Sequence, residues 1–502
     1  MPVKAILPPP VFRYDPTDMP DLLRKVRRWS DYDQVPQIEL KRVVVEDDAI
    51  LGLPDALREI AREDSDEVVL IMDKVPYQRA GKSLKPMVTS MLAEAGFTLR
   101  VVELEGDKDG IVHPDFHEVE YVKNHLKPGV AVATVGSGVI SDITKHACFT
   151  FDQEHPGEPH LPLIFCMTAN SVPAYGSRMA IITKDGVKRT WPSRLSDVII
   201  ADLKTLCDTP LEYTMGGIGD MCAMFMAFAD WYLGKYFGLG TYFQGSWHIL
   251  EDVKDLMFPY ADEIGKRTRL GMEVLAKIQT LGGLTMTYAR ESSPVSGFEH
   301  VVSHMLDMGA PFWGRRIANH GSQVAVAAIP GLVGLNWFLN DFDPSTVDIE
   351  RCYPSSETME RRVRGVFDAL DPSGAVGAEC WSDYRQKLKG WGEARSHLEE
   401  LLADWPDQKT YLQSLIMQPE PYVQALQTAR HPLLFEELNV RVPEEQGRWA
   451  YHNAHLMRKR FSSGDLLFYL GWFTDEWTDR VLAQMHRLVE EVRRQHAAAP
   501  SA

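Results

Sequence analysis

A glycine turn between a predicted strand and a predicted helix constrains the fold of this chain more than any other segment. The small and β-branched residues 130–135 indicate a buried strand, and a helical pattern follows Gly136-Ser137-Gly138. Backbone N–H groups and the positive end of the helix dipole at such a turn attract anions. The predicted occupant is a dinucleotide pyrophosphate. The alternative is an ordinary strand–helix turn in which glycine only supplies a left-handed backbone conformation.

Strands alternate with helices on both sides of this turn. The sequence predicts strands at residues 38–46, 66–73, 98–107, 130–135, 160–169, 179–183 and 198–203. It predicts helices between the earlier strands at residues 54–62, 81–95 and 116–126. This order predicts a parallel, Rossmann-like sheet with helices on both faces. Cofactors bind such sheets at the carboxyl ends of the strands, where the glycine turn lies, and this position favours the phosphate-binding interpretation.

The pattern changes after Thr209-Pro210, where long helical periodicities begin. They cover residues 211–236, 247–281, 297–308, 321–329, 391–402, 407–416, 443–459 and 465–495. We therefore predict an α/β dinucleotide-binding domain over residues 37–207 and an all-α metal- and substrate-binding domain over residues 208–502. Residues 1–36 are rich in proline, with a short helix predicted at residues 21–29, and are predicted to form an N-terminal arm.

Charge and cysteine content narrow the classes of function. The 502 residues carry a net charge of −17 at pH 7, which argues against nucleic acid or an anionic membrane surface as main partner. An anionic small substrate in a locally basic site is still compatible with that charge. The six cysteines include no CxxC pair, which predicts free thiols in a reducing compartment. We see no signal-peptide core and no run of eighteen apolar residues, so we expect a cytoplasmic protein without a membrane span.

Three short segments of the helical half carry residues of the kinds that bind metals. Asp220 ends GGIGD, which is predicted to open an apolar helix, His300 and His304 lie four residues apart, and His320 precedes a small-residue helix. Each has an ordinary alternative, a first-turn acid or a core histidine. Together, Asp220, His300 and His320 offer one carboxylate and two imidazoles, a set that leaves an open position on a divalent metal. Spacing alone does not show that they converge.

Several motifs resemble the dehydroquinate synthase-like superfamily, which includes the iron-containing alcohol dehydrogenases and glycerol dehydrogenase, and within it the sn-glycerol-1-phosphate dehydrogenase branch most. They are GSGVISDITK (136–145), TANSVPAYGS (168–177), IIADL (199–203), GIGD (217–220) with ADW (229–231), SPVSGFEHVVSH (293–304), HGSQV (320–324) and NAHLMRKRFSSGDLLFYLGWF (453–473). The resemblance implies a nucleotide-binding α/β domain and a helical domain, with the active site in the cleft between them.

The resemblance also implies roles for individual residues. The pyrophosphate of NAD or NADP would lie on Gly136, Ser137 and Gly138, with Asp142 nearby. The nicotinamide and adenine-ribose side would be lined by Thr168, Ser171 and Ser177. One divalent metal, Zn²⁺ or else Ni²⁺ or Fe²⁺, would bind Asp220, His300 and His320. Proton transfer would involve His304 and Tyr175.

One departure from the family pattern affects the substrate prediction. Relatives carry an aspartate two residues after the position of Ser171, where it faces the substrate hydroxyls, but this chain has Pro173 there, and Asn170 replaces a proline. Because a proline offers neither charge nor an N–H donor, substrate choice or proton delivery must differ. An insert at residues 340–440 is a second departure, and it is predicted to reshape the cleft or an oligomer contact. Cations predicted to meet a phosphate ester are Lys145, Arg178, Lys188 and Arg189.

The sequence therefore predicts a metal-dependent, NAD(P)-linked oxidoreductase that interconverts a small polyol or polyol phosphate and its ketone. Asp73, at the end of a predicted strand, is a candidate contact for the adenine ribose. We expect a homodimer or higher homo-oligomer. Two alternatives stay open: a dehydroquinate synthase-like cyclase that uses NAD transiently, and a catalytically altered homologue that acts as a binding subunit.

Overall fold

A computed structural model describes residues 9–62, 65–108, 110–184 and 187–498. The chain forms two compact units. The α/β unit comprises Leu7–Met221 and Phe243–Ser292, and the helical unit contains Cys222–Tyr242 and Ser293–Ala502. This grouping differs from the boundary predicted between residues 207 and 208, because residues 208–221 and 243–292, which form most of one helix and three complete helices, belong to the α/β unit.

The α/β unit is built on a parallel sheet. The strands are β1 (Arg42–Glu46), β2 (Glu67–Asp73), β3 (Gln78–Arg79), β4 (Lys82–Ser83), β5 (Thr98–Leu104), β6 (Ala131–Gly136), β7 (Leu163–Met167), β8 (Met179–Lys184), β9 (Val187–Pro192) and β10 (Val198–Asp202). Six of them form one sheet in the order β1-β10-β7-β6-β2-β5, and every pairing in it is parallel. The two short antiparallel pairs are β3-β4 and β8-β9. The predicted α/β class is confirmed.

The order of the strands places a crevice beside the glycine turn. From β2 the chain moves outward to β5, and from β6 it moves in the opposite direction through β7 to β10. Because the direction of winding reverses between β2 and β6, the loops at their carboxyl ends diverge and leave the crevice in which such sheets bind ligands. Met72 pairs with Val135, so Asp73 and Gly136 end these two strands side by side.

Helices make up the rest of both units. The α/β unit contains α1 (Met19–Val26), α2 (Leu53–Ile60), α3 (Leu84–Glu94), α4 (Phe116–Lys123), α5 (Gly138–Glu154), α6 (Leu203–Asp208), most of α7 (Leu211–Cys222), α9 (Gln244–Met257), α10 (Ala261–Gly265) and α11 (Arg269–Ala289). The helical unit contains α8 (Met224–Tyr236), α12 (Phe298–Gly309), α13 (His320–Asp341), α14 (Ser356–Leu370), α15 (Ala375–Glu393), α16 (Arg395–Ala403), α17 (Trp405–Leu415), α18 (Pro419–Thr428), α19 (Glu444–Asn453), α20 (Ser463–Tyr469) and α21 (Asp475–Ala498).

Glycines explain why α11 packs within the α/β unit. A Cβ on Gly283 of α11 would lie 2.4 Å from the carbonyl oxygen of Pro173, and one on Gly176 would lie 2.4 Å from the carbonyl oxygen of Thr280. The missing side chains therefore let the helix and the 173–176 turn meet backbone to backbone. The described part of the N-terminal arm also contacts this unit, since the Arg13 Nε lies 3.2 Å from an Asp252 carboxylate oxygen on α9.

Helix α13 forms much of the core of the helical unit. It is the one helix among the described residues whose length and mean hydropathy, 1.4 over its most apolar window, would allow it to cross a membrane. Because 89% of that window is buried inside the protein, the composition is that of a core helix.

Part of the predicted insert packs in the core of the helical unit. Trp391 of α15 stacks on Tyr469 of α20, with ring centroids 4.6 Å apart and planes 7° from parallel, and on Phe461 at 5.4 Å. Its indole Nε1 donates to the carbonyl of Cys352 at 2.8 Å. Because Phe461 and Tyr469 lie in the 453–473 motif, this part of the insert packs directly on a segment that carries the family resemblance.

A buried carboxylate fixes the start of α12, the helix that carries two of the predicted site histidines. Asp230 of α8 accepts hydrogen bonds from the backbone N–H of Phe298 (2.6 Å) and of Ser463 (2.5 Å), so it caps both α12 and α20. A Cβ on Gly297 would lie 2.3 Å from the Asp230 carboxylate, which explains the glycine. Burial, and then the nearby Glu299 carboxylate, raise the pKa of Asp230 to about 7.

We predict that Asp230 makes the stability of the protein fall as the pH rises from about 4 to about 7. The folded state holds the Asp230 proton more tightly than the unfolded state, so this contribution is complete below pH 4 and disappears as the carboxyl ionises in the folded protein. Urea unfolding at several pH values should show that the advantage of the wild type over Asp230→Asn shrinks across this interval. A difference independent of pH would contradict the prediction.

Candidate functional site

The glycine turn is closely packed and leaves the start of α5 without a side-chain cap. Ser137 is the N-cap residue of α5, and its side chain makes no capping hydrogen bond. A Cβ on Gly138 would lie 2.2 Å from the Val172 Cγ2, and one on Gly136 would lie 2.6 Å from the Ile140 Cβ. Neither glycine has a positive φ. The alternative in which glycine only supplies a left-handed backbone is therefore wrong, because close packing requires both glycines.

Tyr175 holds the glycine turn through hydrogen bonds to main-chain carbonyl groups. Its buried hydroxyl donates to the carbonyl oxygens of Gly136 (3.1 Å) and Ala169 (3.2 Å). Burial raises the pKa of Tyr175 well above its usual value. Because the hydroxyl is engaged by two main-chain acceptors, these contacts favour a positioning role for Tyr175 over the predicted role in proton transfer.

Asp142 and Lys145 form a buried ion pair on α5. The Lys145 Nζ lies 2.6 Å from an Asp142 carboxylate oxygen and donates to the carbonyls of Ala174 (2.8 Å) and Ser177 (3.1 Å). The backbone N–H of Ile181 donates to the other Asp142 oxygen at 3.0 Å. Burial lowers the pKa of Lys145, against the attraction of Asp142. The pair therefore ties α5 to the 174–181 segment, and Lys145 is occupied within the protein rather than available to a phosphate ester.

The predicted cofactor residues Thr168, Ser171 and Ser177 lie in the segment that follows β7. The backbone N–H of Thr168 donates to the Gly136 carbonyl at 3.3 Å, which brings this segment to the glycine turn. The Ser177 Oγ accepts a hydrogen bond from the Met179 N–H at 3.0 Å. Ser171 is buried. The structure thus places Thr168 beside the glycine turn at the carboxyl end of the sheet.

Asp73 has partners that the sequence did not reveal. Lys85, in the first turn of α3, pairs with the Asp73 carboxylate and donates to the Val75 carbonyl at 2.7 Å. Tyr77 lies beside this pair, with its ring centroid 5.3 Å from the Lys85 Nζ. Tyr77 and Lys85 therefore line the crevice, although no motif in the sequence points to either residue.

The residues that depart from the family pattern serve packing in this structure. Pro173 begins a buried 3₁₀ turn over Pro173–Gly176 that packs against α11. Asn170 donates through its Nδ2 to the Met272 carbonyl at 3.2 Å, also on α11. Among the predicted phosphate-binding cations, Arg178 pairs with Glu39 at 2.7 Å, Arg189 is exposed, and the Lys188 side chain lies outside the described residues.

Three imidazoles cluster in the helical unit. Ring centroids lie 5.4 Å apart for His300 and His320, 5.1 Å for His304 and His320, and 6.4 Å for His300 and His304. His300 and His304 lie one turn apart on α12, while His320 is the first residue of α13, whose N-cap residue Asn319 accepts a hydrogen bond from the Ser322 N–H. The structure therefore brings together the three histidines that the sequence singled out.

The Nδ1 atoms of two of these histidines have polar partners on α12. The His300 Nδ1 lies 2.9 Å from a carboxylate oxygen of Glu299, and the His320 Nδ1 lies 3.0 Å from the Ser303 Oγ. A histidine that donates a hydrogen bond through Nδ1 coordinates a metal through Nε2. The residues present thus fit a divalent metal bound by imidazole nitrogens.

Asp220 is placed differently from its prediction. It lies in the last turn of α7 within the α/β unit, so it is not the first-turn acid of an apolar helix. The glycines before it lie inside α7, and close packing explains one of them, because a Cβ on Gly217 would lie 1.9 Å from the Asn170 carbonyl oxygen. Asp220 is buried, and its part in a metal site stays a prediction of the family resemblance.

Comparison with known proteins relates part of this chain to a known family. Residues 44–210 match the profile of the family described as iron-containing alcohol dehydrogenase. Glycerol-1-phosphate dehydrogenase (NAD(P)+) of Bacillus subtilis (strain 168) is 28% identical over 293 residues, which are 58% of this chain and 71% of that protein.

Solved structures share the fold. Glycerol dehydrogenase from Schizosaccharomyces pombe matches with a TM-score of 0.51 and 14% identity over 89% of this chain and 92% of that chain. A probable glycerol dehydrogenase from Sinorhizobium meliloti 1021 matches with a TM-score of 0.52 and 13% identity over 91% and 98% of the two chains. The motifs, the parallel sheet and these similarities relate residues 44–210 to the iron-containing alcohol dehydrogenases, and the chain shares its fold with solved glycerol dehydrogenases.

Proposed function

We propose that this protein is a metal-dependent, NAD(P)-linked oxidoreductase that interconverts a small polyol, or a polyol phosphate, and its ketone. The observation that carries the proposal is the position of the Gly136–Gly138 turn at the switch point between β2 and β6, where sheets of this class bind dinucleotides. The similarity to glycerol-1-phosphate dehydrogenases supports the substrate class.

On the α/β side, the protein's own groups bind and orient the dinucleotide. The uncapped N-terminus of α5 would receive the pyrophosphate. Tyr175 keeps the turn in place through the Gly136 carbonyl. Thr168, Ser171 and Ser177 would line the rest of the dinucleotide, as in the family.

On the helical side, we propose that His300 and His320 hold a divalent metal together with Asp220. Bound together, a nicotinamide dinucleotide and a divalent metal supply hydride transfer and stabilisation of negative charge on the reacting oxygen. His304, with its ring centroid 5.1 Å from that of His320, is the proposed proton carrier.

We predict that the protein, after loading with Zn²⁺, Ni²⁺ or Fe²⁺ in separate samples, oxidises NADH or NADPH stoichiometrically with a small ketone. Dihydroxyacetone phosphate, dihydroxyacetone and other small ketones should be compared. Metal content and turnover should both be lost in His300→Ala, because an imidazole ligand is removed. His486→Ala, which changes a histidine of α21 away from the cluster, is the matched control and should retain both.

Two results would overturn this proposal. Turnover of a substrate without net NAD(P)H change would indicate the cyclase alternative. Full metal content and turnover in His300→Ala would exclude the metal assignment.

We predict that Gly138→Ala weakens NADH binding by about tenfold or more, because the new methyl group would collide with Val172 beside the turn. The double variant Gly138→Ala/Val172→Ala should recover much of the affinity, since it removes the colliding atom. Fluorescence titration with NADH measures the affinity of the single and the double variant.

Gly157→Ala is the matched control for this experiment. Its added Cβ would meet nothing within 4 Å, and its φ is not positive. Equal NADH affinity in Gly138→Ala, Gly157→Ala and the wild type would show that the turn does not bind the dinucleotide.

A further inference from the structure

We propose that Glu299, Ser303 and Asp307 are positioning residues that hold His300 and His320 in the orientation that binds the divalent metal. The inference rests on the proposed metal-dependent function and deepens it. We call these three side chains the α12 polar stripe. They are four residues apart along one helix, so they lie on one face, and all three are buried.

The polar stripe of α12 lies next to the two histidines that the same helix contributes to the cluster. His300 and His304 follow Glu299 and Ser303 by one residue each, so the imidazoles form a row beside the polar stripe. Buried carboxylates and hydroxyls in a helix are costly unless they are hydrogen-bonded. These groups on an inward face therefore need hydrogen-bond partners, and the histidines of the cluster provide such partners.

Glu299 orients His300. One of its carboxylate oxygens lies 2.9 Å from the His300 Nδ1 and also accepts the Gly297 N–H at 2.6 Å. The carboxylate is thus fixed to the backbone at the start of α12 before it contacts the ring. A carboxylate at Nδ1 selects the tautomer with the proton there, presents Nε2 as the ligand atom and makes that nitrogen more basic.

Ser303 and Asp307 act on His320 across the junction of two helices. The Ser303 Oγ lies 3.0 Å from the His320 Nδ1, and an Asp307 carboxylate oxygen lies 3.7 Å from the same nitrogen. The other Asp307 oxygen accepts a hydrogen bond from the Gln323 Nε2 at 2.7 Å. Because Gln323 lies in the first turn of α13, Asp307 also fixes the helix that begins with His320.

A competing interpretation makes Asp307 a metal ligand. One ligand atom each of His304, Asp307 and His320 lies within 4.8 Å of the others, which would suit a cation. The Gln323 bond and the approach to the His320 Nδ1 favour positioning, because a histidine bound through Nε2 keeps Nδ1 for such a partner. The experiment below separates the two.

The test is a Co²⁺ titration of the metal-free full-length protein, followed by the visible absorption of the bound ion. Glu299→Gln should raise the Kd for Co²⁺ by about 10- to 100-fold and change the spectrum, because the oriented charge at the His300 Nδ1 is lost. Glu360→Gln, an exposed carboxylate on α14, is the matched control and should leave both unchanged. NADH affinity, measured on the same samples, should be equal in all of them and reports that the fold is intact.

Ser303 gives a second, smaller change. Ser303→Ala should weaken Co²⁺ binding by about tenfold, and Ser303→Thr, which keeps the hydroxyl, should restore it. If Ser303 had only a packing role, the Co²⁺ affinity would not depend on whether the side chain carries a hydroxyl group.

Each outcome decides a separate point. If the wild type binds no Co²⁺, the proposed metal-dependent function fails. If it binds Co²⁺ and Glu299→Gln matches it in affinity and spectrum, only the positioning role is overturned. If Asp307→Asn abolishes binding as completely as His300→Ala, Asp307 is a ligand and its positioning role is overturned, whereas a partial loss supports it.

Discussion

The reversal of winding between β2 and β6 is the constraint on which the α/β unit depends. Once the chain turns in opposite directions from these two neighbours, their carboxyl ends cannot be covered by the same loop, and a crevice opens. Gly136 and Asp73 end the two strands at that crevice. The contacts of Tyr175, Lys85 and the Asp142–Lys145 pair hold the segments that surround this crevice.

In the helical unit, the two histidines proposed to bind a metal lie at or near helix starts, so the two helices must be held in register. Asp230 fixes the backbone of α12, and Glu299 and Ser303 fix the histidine rings from that same helix. Asp230 thus fixes the position of the α12 backbone, and Glu299 and Ser303 fix the orientation of the histidine rings. A cation would bind a preorganised cluster at lower cost than a set of flexible ligands, and the proposed metal site would therefore account for the buried polar groups of α12.

The sequence was a reliable guide wherever local pattern and tertiary packing agree. Alternating strands and helices predicted the parallel sheet, and the spacing of His300 and His304 placed both on one face of α12. It failed where packing overrides local signals. Glycines before Asp220 read as the opening of a helix, but the close approach of Gly217 to the Asn170 carbonyl keeps them inside α7. The spacing of Glu299, Ser303 and Asp307 was visible, yet polar residues in a helix normally face solvent, and only their burial shows otherwise.

The substitution of proline at position 173 also shapes where proton transfer can take place. The 168–177 segment offers no carboxylate at Pro173, and the hydroxyl of Tyr175 already donates to two carbonyls. The segment has become a packing element against α11, with Gly176 and Gly283 in backbone contact. In relatives, the corresponding segment contributes to proton transfer. We therefore infer that proton transfer in this chain depends on a residue of α12. His304 lies on α12 with its ring centroid 5.1 Å from that of His320, and it is the proposed proton carrier.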